Sequence, residues 1–275
     1  MLKKREYKFW FCPGSVDLYG DEEIRIVTEH CRKIVEEMNQ SEFVPYEIML
    51  KPTLLTNENI LKTFKAANED ENCAGVIAWM HMFSPAKSWL LGLQELKKPL
   101  LHLHTQFNEE IPYATLDMGF ININQSAHGD REFAYMLARM QKEHKTVVGH
   151  WQTERVQKKI GSWMRTAVGI VESRHLRVAR FADNMINVAD TEGDKIEAQM
   201  KFGWQVDTYT IVDASDAADA VSKSDVKNLT DEYYDKYGII LEGRDPEEFR
   251  KHVEEQARIE IGFERFLEEK NYQAV

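Results

Sequence analysis

Short apolar runs at 8–12, 46–50, 75–79, 99–104 and 146–149 alternate with stretches whose apolar residues recur at helical spacing. Parallel strands can be joined only by a crossover, and a helix is its usual form, so this rhythm predicts an α/β fold: a doubly wound, Rossmann-like parallel sheet with helices on both faces. Between the first two runs, Ile24, Val27, Cys31, Ile34, Val35 and Met38 supply the helical stripe. Ligands on such sheets sit beyond the carboxyl ends of the strands. That rule points to 14–20, 81–84, 104–108 and 150–152, each of which directly follows a predicted strand.

A long helix over 153–172 closes this first part, and a second begins with an apolar run at 176–181, so the expected domains are 1–173 and 174–275. The second continues with a helix over 194–202, a strand at 208–212 and helical segments after Ala214 and Ser224. Asp245, Pro246, Glu247 and Glu248 combine a cap, a first-turn proline and acidic residues, opening a helix that turns Phe249, Val253, Ala257 and Phe263 inward and stops near Asn271. Residues 272–275 read as the start of another strand, so the second α/β domain is expected to be partial.

With 275 residues and 43% apolar content the chain can bury a sizeable core, and its formal charge of −11 disfavours nucleic acid or an anionic membrane surface as partner. No apolar run reaches the length of a membrane span and no signal-peptide core precedes the first strand, so the expected location is cytoplasmic. Cys12, Cys31 and Cys73 show no paired spacing and read as buried small apolar residues. Dinucleotide fingerprints, Walker loops and serine-hydrolase elbows are absent from the sequence. Few cations and no glycine-rich cradle occupy the strand-end loops, which disfavours phosphorylated sugars.

The densest polar stretch is Asn124-Gln125-Ser126-Ala127-His128-Gly129-Asp130-Arg131-Glu132-Phe133, read as a turn opening a helix. If Ser126 or its neighbour caps that helix, Gln125 and His128 both project from its N-terminal end toward a small polar ligand. His102 and His104 alternate on one strand and so share a face, a spacing that could serve a metal if His81, His128 or His150 converged on it; the plainer reading is hydrogen bonding at strand ends. Lys87 and Arg131 read as surface cations, and 231–235 as a solvated acidic face.

Several of these stretches occur together in one known family. Gly14-Ser15-Val16-Asp17-Leu18-Tyr19-Gly20, Trp79-Met80-His81-Met82-Phe83-Ser84-Pro85-Ala86-Lys87, His102-Leu103-His104-Thr105-Gln106-Phe107-Asn108, the 124–133 stretch, Val148-Gly149-His150-Trp151-Gln152, Arg180-Phe181-Ala182-Asp183-Asn184-Met185 and Thr191-Glu192-Gly193-Asp194-Lys195 follow in order. In this the chain closely resembles the L-arabinose isomerase family. The resemblance implies a ketol isomerase that interconverts L-arabinose and L-ribulose, with D-galactose to D-tagatose as a side reaction and Mn2+ as the usual ion.

It also implies that the metal-binding Glu and His residues, which include the acid/base pair, lie beyond Val275, so that this chain alone would be weak or inactive. Leu18, Tyr19, Gln125, His128 and Met185 match residues with which the family contacts sugar in a neighbouring subunit's site, which implies a homo-oligomer. Taken without the resemblance, Tyr19 and Met185 read equally well as core residues and His128 as a turn histidine. Val16-Asp17 stands where the family usually has Gln-His. Two other functions remain open from the residues: a catalytically silent sugar-binding or assembly module, and an unrelated metal enzyme built on the strand-end histidines.

Overall fold

The computed structural model describes residues 5–275, which divide into two compact units, 5–171 and 172–275. In the first unit β1 (Lys8–Pro13), β2 (Glu47–Leu50), β3 (Cys73–Trp79), β4 (Leu100–His104) and β5 (Lys145–Val148) form one parallel sheet in the order β2-β1-β3-β4-β5. Between them run α1 (Asp21–Asn39), α2 (Asn57–Glu69), the short α3 (Leu90–Glu95), α4 (Met118–Ile123) and α5 (Ser126–Arg139), and α6 (Glu154–Ser173) follows β5. The doubly wound α/β fold expected from the alternation is the fold observed.

Side chains on a strand alternate between faces, and β1 uses both. Phe9 and Phe11 pack with Val27, Cys31, Ile34 and Met38 of α1 and with Ile160 and Met164 of α6. Trp10 and Cys12 pack on the other face with Ile60 and Phe64 of α2, Leu93 of α3, and Phe133 and Leu137 of α5. Every residue of β3 is buried, as a central strand covered on both faces requires. Cys12, Cys31 and Cys73 are free and buried, each thiol pushed up by burial.

Strand order reverses between β1 and β3, which opens a crevice beyond their carboxyl ends. There the turn after β1 passes directly against the turn after β3. A Cβ on Gly14 would lie 2.7 Å from Met80 Sδ and 2.7 Å from the Trp89 ring, so only glycine lets the two turns approach this closely.

In the second unit β6 (Arg177–Phe181) and β7 (Gln205–Tyr209) form a two-stranded parallel sheet. Around it stand α7 (Lys195–Phe202), α8 (Ile211–Asp219), α9 (Lys223–Lys236) and the long α10 (Pro246–Lys270). Asp245 caps α10 by accepting the Glu248 N–H, Pro246 occupies its first turn, and Asn271 ends it in the left-handed conformation at φ 57°. Ala257, Gly262 and Phe266 are the buried residues of α10, while Phe249, Val253 and Phe263 are half-buried. Residues 272–275 return beside β6, where Gln273 N–H donates to the Arg177 carbonyl at 3.0 Å and Ala179 N–H donates to the Ala274 carbonyl at 2.9 Å.

The expected strand at 208–212 is displaced. Thr210 and Asp213 form a reciprocal capping box that starts α8 at Ile211, so Ile211 and Val212 are exposed first-turn residues and the strand lies earlier, over Gln205–Tyr209. Among the described residues no helix is long and apolar enough to cross a membrane.

Candidate functional site

Three segments meet at the crevice edge of the first unit. The turn after β1 carries a 3-10 helix over Asp17–Tyr19, the turn after β3 carries His81 and Phe83, and the segment after β4 leads into the first turn of α5.

Gln125 Nε2 donates to the Tyr19 hydroxyl at 3.2 Å, joining two of the expected residues across 106 positions of sequence. Tyr19 is half-buried, its ring resting on the core under α1, which leaves the hydroxyl for Gln125. Leu18, beside it, is 73% exposed. His128 is exposed, and its ring stacks on Phe83 with centroids 4.4 Å apart and planes 18° apart. Met185 belongs to the second unit, where it is exposed on the loop after β6 and its N–H donates to Thr191 Oγ1 at 3.0 Å. The Val16-Asp17 pair is divided: Val16 packs against the core and Asp17 is exposed.

Ser126 does not cap α5. It is fully buried, and its hydroxyl donates to the Thr105 carbonyl at 2.7 Å, while the same carbonyl accepts the Trp79 indole N–H at 3.0 Å. Gln125 takes the cap position without a side-chain cap bond, so α5 is anchored sideways to the strand ends. The buried positions Ser126, Gly129, Asp130, Phe133 and Leu137 make a stripe at helical spacing, and Gln125 and His128 lie off that stripe.

Asp130 completes the anchor. Its Oδ1 accepts the Met80 N–H at 3.2 Å and lies 2.9 Å from His102 Nε2, with both side chains buried. Burial pushes the Asp130 carboxyl well above its usual range, an effect that His104 and the Met80 N–H only oppose. Burial also lowers His102 to about 4. Burial thus disfavours the charged form of each group, and Asp130 Oδ2 and His102 Nδ1 are buried without hydrogen-bond partners.

Two further histidines pair with each other. His30 Nδ1 is 2.8 Å from His81 Nε2; His81 stacks on Trp79 and His30 on Phe107, with centroids 4.2 and 3.6 Å apart. Burial lowers His30 to about 4 and holds His81 well below the usual histidine range. His150 Nε2 lies 3.3 Å from the Phe107 carbonyl. The strand-end histidines thus go to separate partners, and among the described residues no three or more His, Cys, Asp or Glu side chains gather as a metal site. Beyond β4 and β5 an open cleft of about 330 Å³ is lined by Lys33, Phe107, Asn108, Phe120, Trp151 and Gln152.

Asp130 and His30 were not singled out from sequence, although a signal existed for each. An aspartate at the i+4 position from Ser126 and three before Phe133 falls on the apolar stripe of its helix, where a carboxyl has no place unless it is paired. His30 adjoins Val27 and Ile34 in the same way. Together the edge offers an amide, a phenol and an imidazole to neutral hydroxyls.

Comparison with known proteins covers nearly the whole chain. Residues 3–175 match the family described as L-arabinose isomerase N-terminal domain, and 177–275 match the L-arabinose isomerase central domain. The L-arabinose isomerase of Geobacillus thermodenitrificans is 51% identical over 274 residues, covering 100% of this chain and 55% of that protein. Those of Halalkalibacterium halodurans and Clostridium beijerinckii are each 50% identical over the same span, again with 55% of their own length covered. The chain spans about half the length of these curated relatives.

Proposed function

The chain belongs to the L-arabinose isomerase family, and from that premise we propose that its first unit presents the sugar-recognition edge of an aldose–ketose isomerase acting on L-arabinose and L-ribulose, and on D-galactose and D-tagatose. Leu18, Tyr19, Gln125 and His128 contact the sugar at this edge, and Met185, exposed on the second unit, is a separate apolar sugar contact of that unit. The supporting observation is the Tyr19–Gln125 hydrogen bond, which holds two hydroxyl-binding groups together at the crevice edge, one turn from His128.

These residues bind and orient. The Gln125 amide nitrogen donates to the Tyr19 hydroxyl at 3.2 Å and to the Asn122 carbonyl at 3.5 Å, which fixes the side chain and leaves its carbonyl oxygen to accept from sugar hydroxyls. The exposed Leu18 faces the apolar side of a polyol. Mn2+ would polarise the two substrate oxygens in such a reaction, but the described residues hold no ligand set for it. A complete site of this kind needs such ligands in addition, and the apolar side chains exposed after the strand ends, Leu18 after β1 and Tyr113, Met118 and Ile121 after β4, favour a second copy against this edge, giving a homo-oligomer.

Titration calorimetry of the 275-residue chain with L-arabinitol, together with ketose formation from L-arabinose in Mn2+, tests the reading. Weak polyol binding that falls about tenfold in Gln125→Ala or His128→Ala, with little or no turnover, is expected. Binding that ignores both substitutions overturns the assignment. In the wild-type chain, full turnover at ordinary isomerase rates would instead return attention to His102 and His104.

A further inference from the structure

Phe83 stands between two fixed residues. Met82 is buried and its sulfur accepts the Ser15 hydroxyl at 3.3 Å, while Ser84 is buried and its hydroxyl accepts the Trp89 indole N–H at 2.9 Å. The ring of Phe83 itself is half-buried and belongs to neither core cluster of the first unit. Its aromatic contact is the imidazole of His128.

The distance between those rings is set by backbone. A Cβ on Gly129 would lie 2.9 Å from Met80 Cβ and 3.5 Å from the Phe83 Cα, so the first turn of α5 rests directly on the turn after β3. The Met80 N–H to Asp130 bond fastens the same two segments. A rigid aromatic face is thus mounted under an exposed histidine by contacts that do not involve the histidine.

We propose that Phe83 is a positioning residue for sugar recognition: its ring holds the His128 imidazole in one plane, so that the ring nitrogens point edge-on toward the substrate hydroxyls. An unsupported histidine on an exposed helix turn samples several rotamers and must be ordered when ligand binds; a stacked one has lost that freedom beforehand. The inference rests on the reading of His128 as a sugar contact.

The test compares Phe83→Leu, which keeps apolar bulk and removes the ring, with Phe83→Tyr, which restores it, and with His128→Ala. Two quantities are measured on the full chain: the affinity for L-arabinitol and the NMR shifts of the His128 ring protons, which a stacked aromatic face shields. Phe83→Leu is expected to weaken binding about three- to tenfold and move the His128 ring protons downfield, with both effects reversed in Phe83→Tyr. Unmoved His128 resonances in folded Phe83→Leu overturn the proposal, as does unchanged affinity in that variant while His128→Ala loses binding. If His128→Ala also binds normally, or the wild-type chain binds no arabinitol, the sugar role of His128 falls and this inference with it.

Discussion

The two units share the strand–helix alternation but differ in what covers their strands. In the first, a five-stranded sheet lies between helices, and adjacent residues of β1 are buried on opposite faces. In the second, two strands rest on α10 around a small core of Ala179, Phe266 and Tyr272, while Ile196 and Met200 of α7 are 73% and 81% exposed. Arginine–aspartate pairs fasten α10 to its neighbours instead: Arg258 to Asp219, Arg265 to Asp225 and Arg250 to Asp231. Alternation sets topology, whereas sheet width decides how much apolar surface each helix can bury.

The sharpest way to break this comparison is to cut a cavity in each unit. Phe133 is fully buried between Trp89 and His102, so Phe133→Ala should cost about 3–5 kcal/mol in urea unfolding followed by circular dichroism. Phe266→Ala, over a thinner core, should cost about 3 kcal/mol or less. Equal losses would mean that the second unit is packed as firmly as the first.

Acid should separate the units next. His102 and His30 are held neutral in the folded first unit, each lowered by burial to about 4 from 6.5. A lowered histidine contributes stability that is present above the unfolded value and lost as pH falls through the folded one, so the first unit should weaken between pH 6.5 and 4. His102 alone contributes up to about 3 kcal/mol of that loss. In the second unit the lowered groups are carboxylates, among them Asp225 paired with Arg265, Asp231 with Lys227 and Arg250, and Glu255 with Arg258, so its loss should begin only near or below pH 4.5. Amide hydrogen exchange across this range reads both units in one sample, and earlier loss from the second would reverse the assignment.

Asp130 sharpens the same contrast from the alkaline side. Its raised carboxyl adds stability that is full below 3.8 and lost as pH rises through the folded value. Asp130→Asn keeps an acceptor for the Met80 N–H and cannot ionise, so urea midpoints of the variant should decline less with rising pH than those of the wild type. The smallest effect is expected from Arg258→Ala: a slight fall in the second unit's stability that added salt reduces, because the pair is solvent-screened. A large, salt-insensitive loss would show that the ion pairs carry the second unit.

Strand positions and the crevice edge were legible in the sequence because they follow from local periodicity and from the geometry of parallel sheets. β7 was not, since Thr208, Tyr209, Ile211 and Val212 look like one apolar run until the Thr210–Asp213 capping box is recognised as a helix start. Ser126 misled for a related reason: at a helix start serine usually caps, but here a distant carbonyl, that of Thr105, competes for its hydroxyl. The Gln125–Tyr19 bond and the Phe83–His128 stack join residues far apart in the chain, and no local pattern encodes such meetings.

The indoles give this asymmetry an optical form. Of the six tryptophans, Trp10, Trp79, Trp89, Trp151 and Trp163 lie buried in the first unit and Trp204, half-buried, is in the second, its indole N–H donating to Ser173 at 2.8 Å. Intrinsic emission from this chain is therefore almost wholly a report on one unit. A loss of blue-shifted fluorescence marks the opening of the five-stranded sheet, and unfolding confined to the β6–β7 unit would pass nearly unseen except through a single fluorophore.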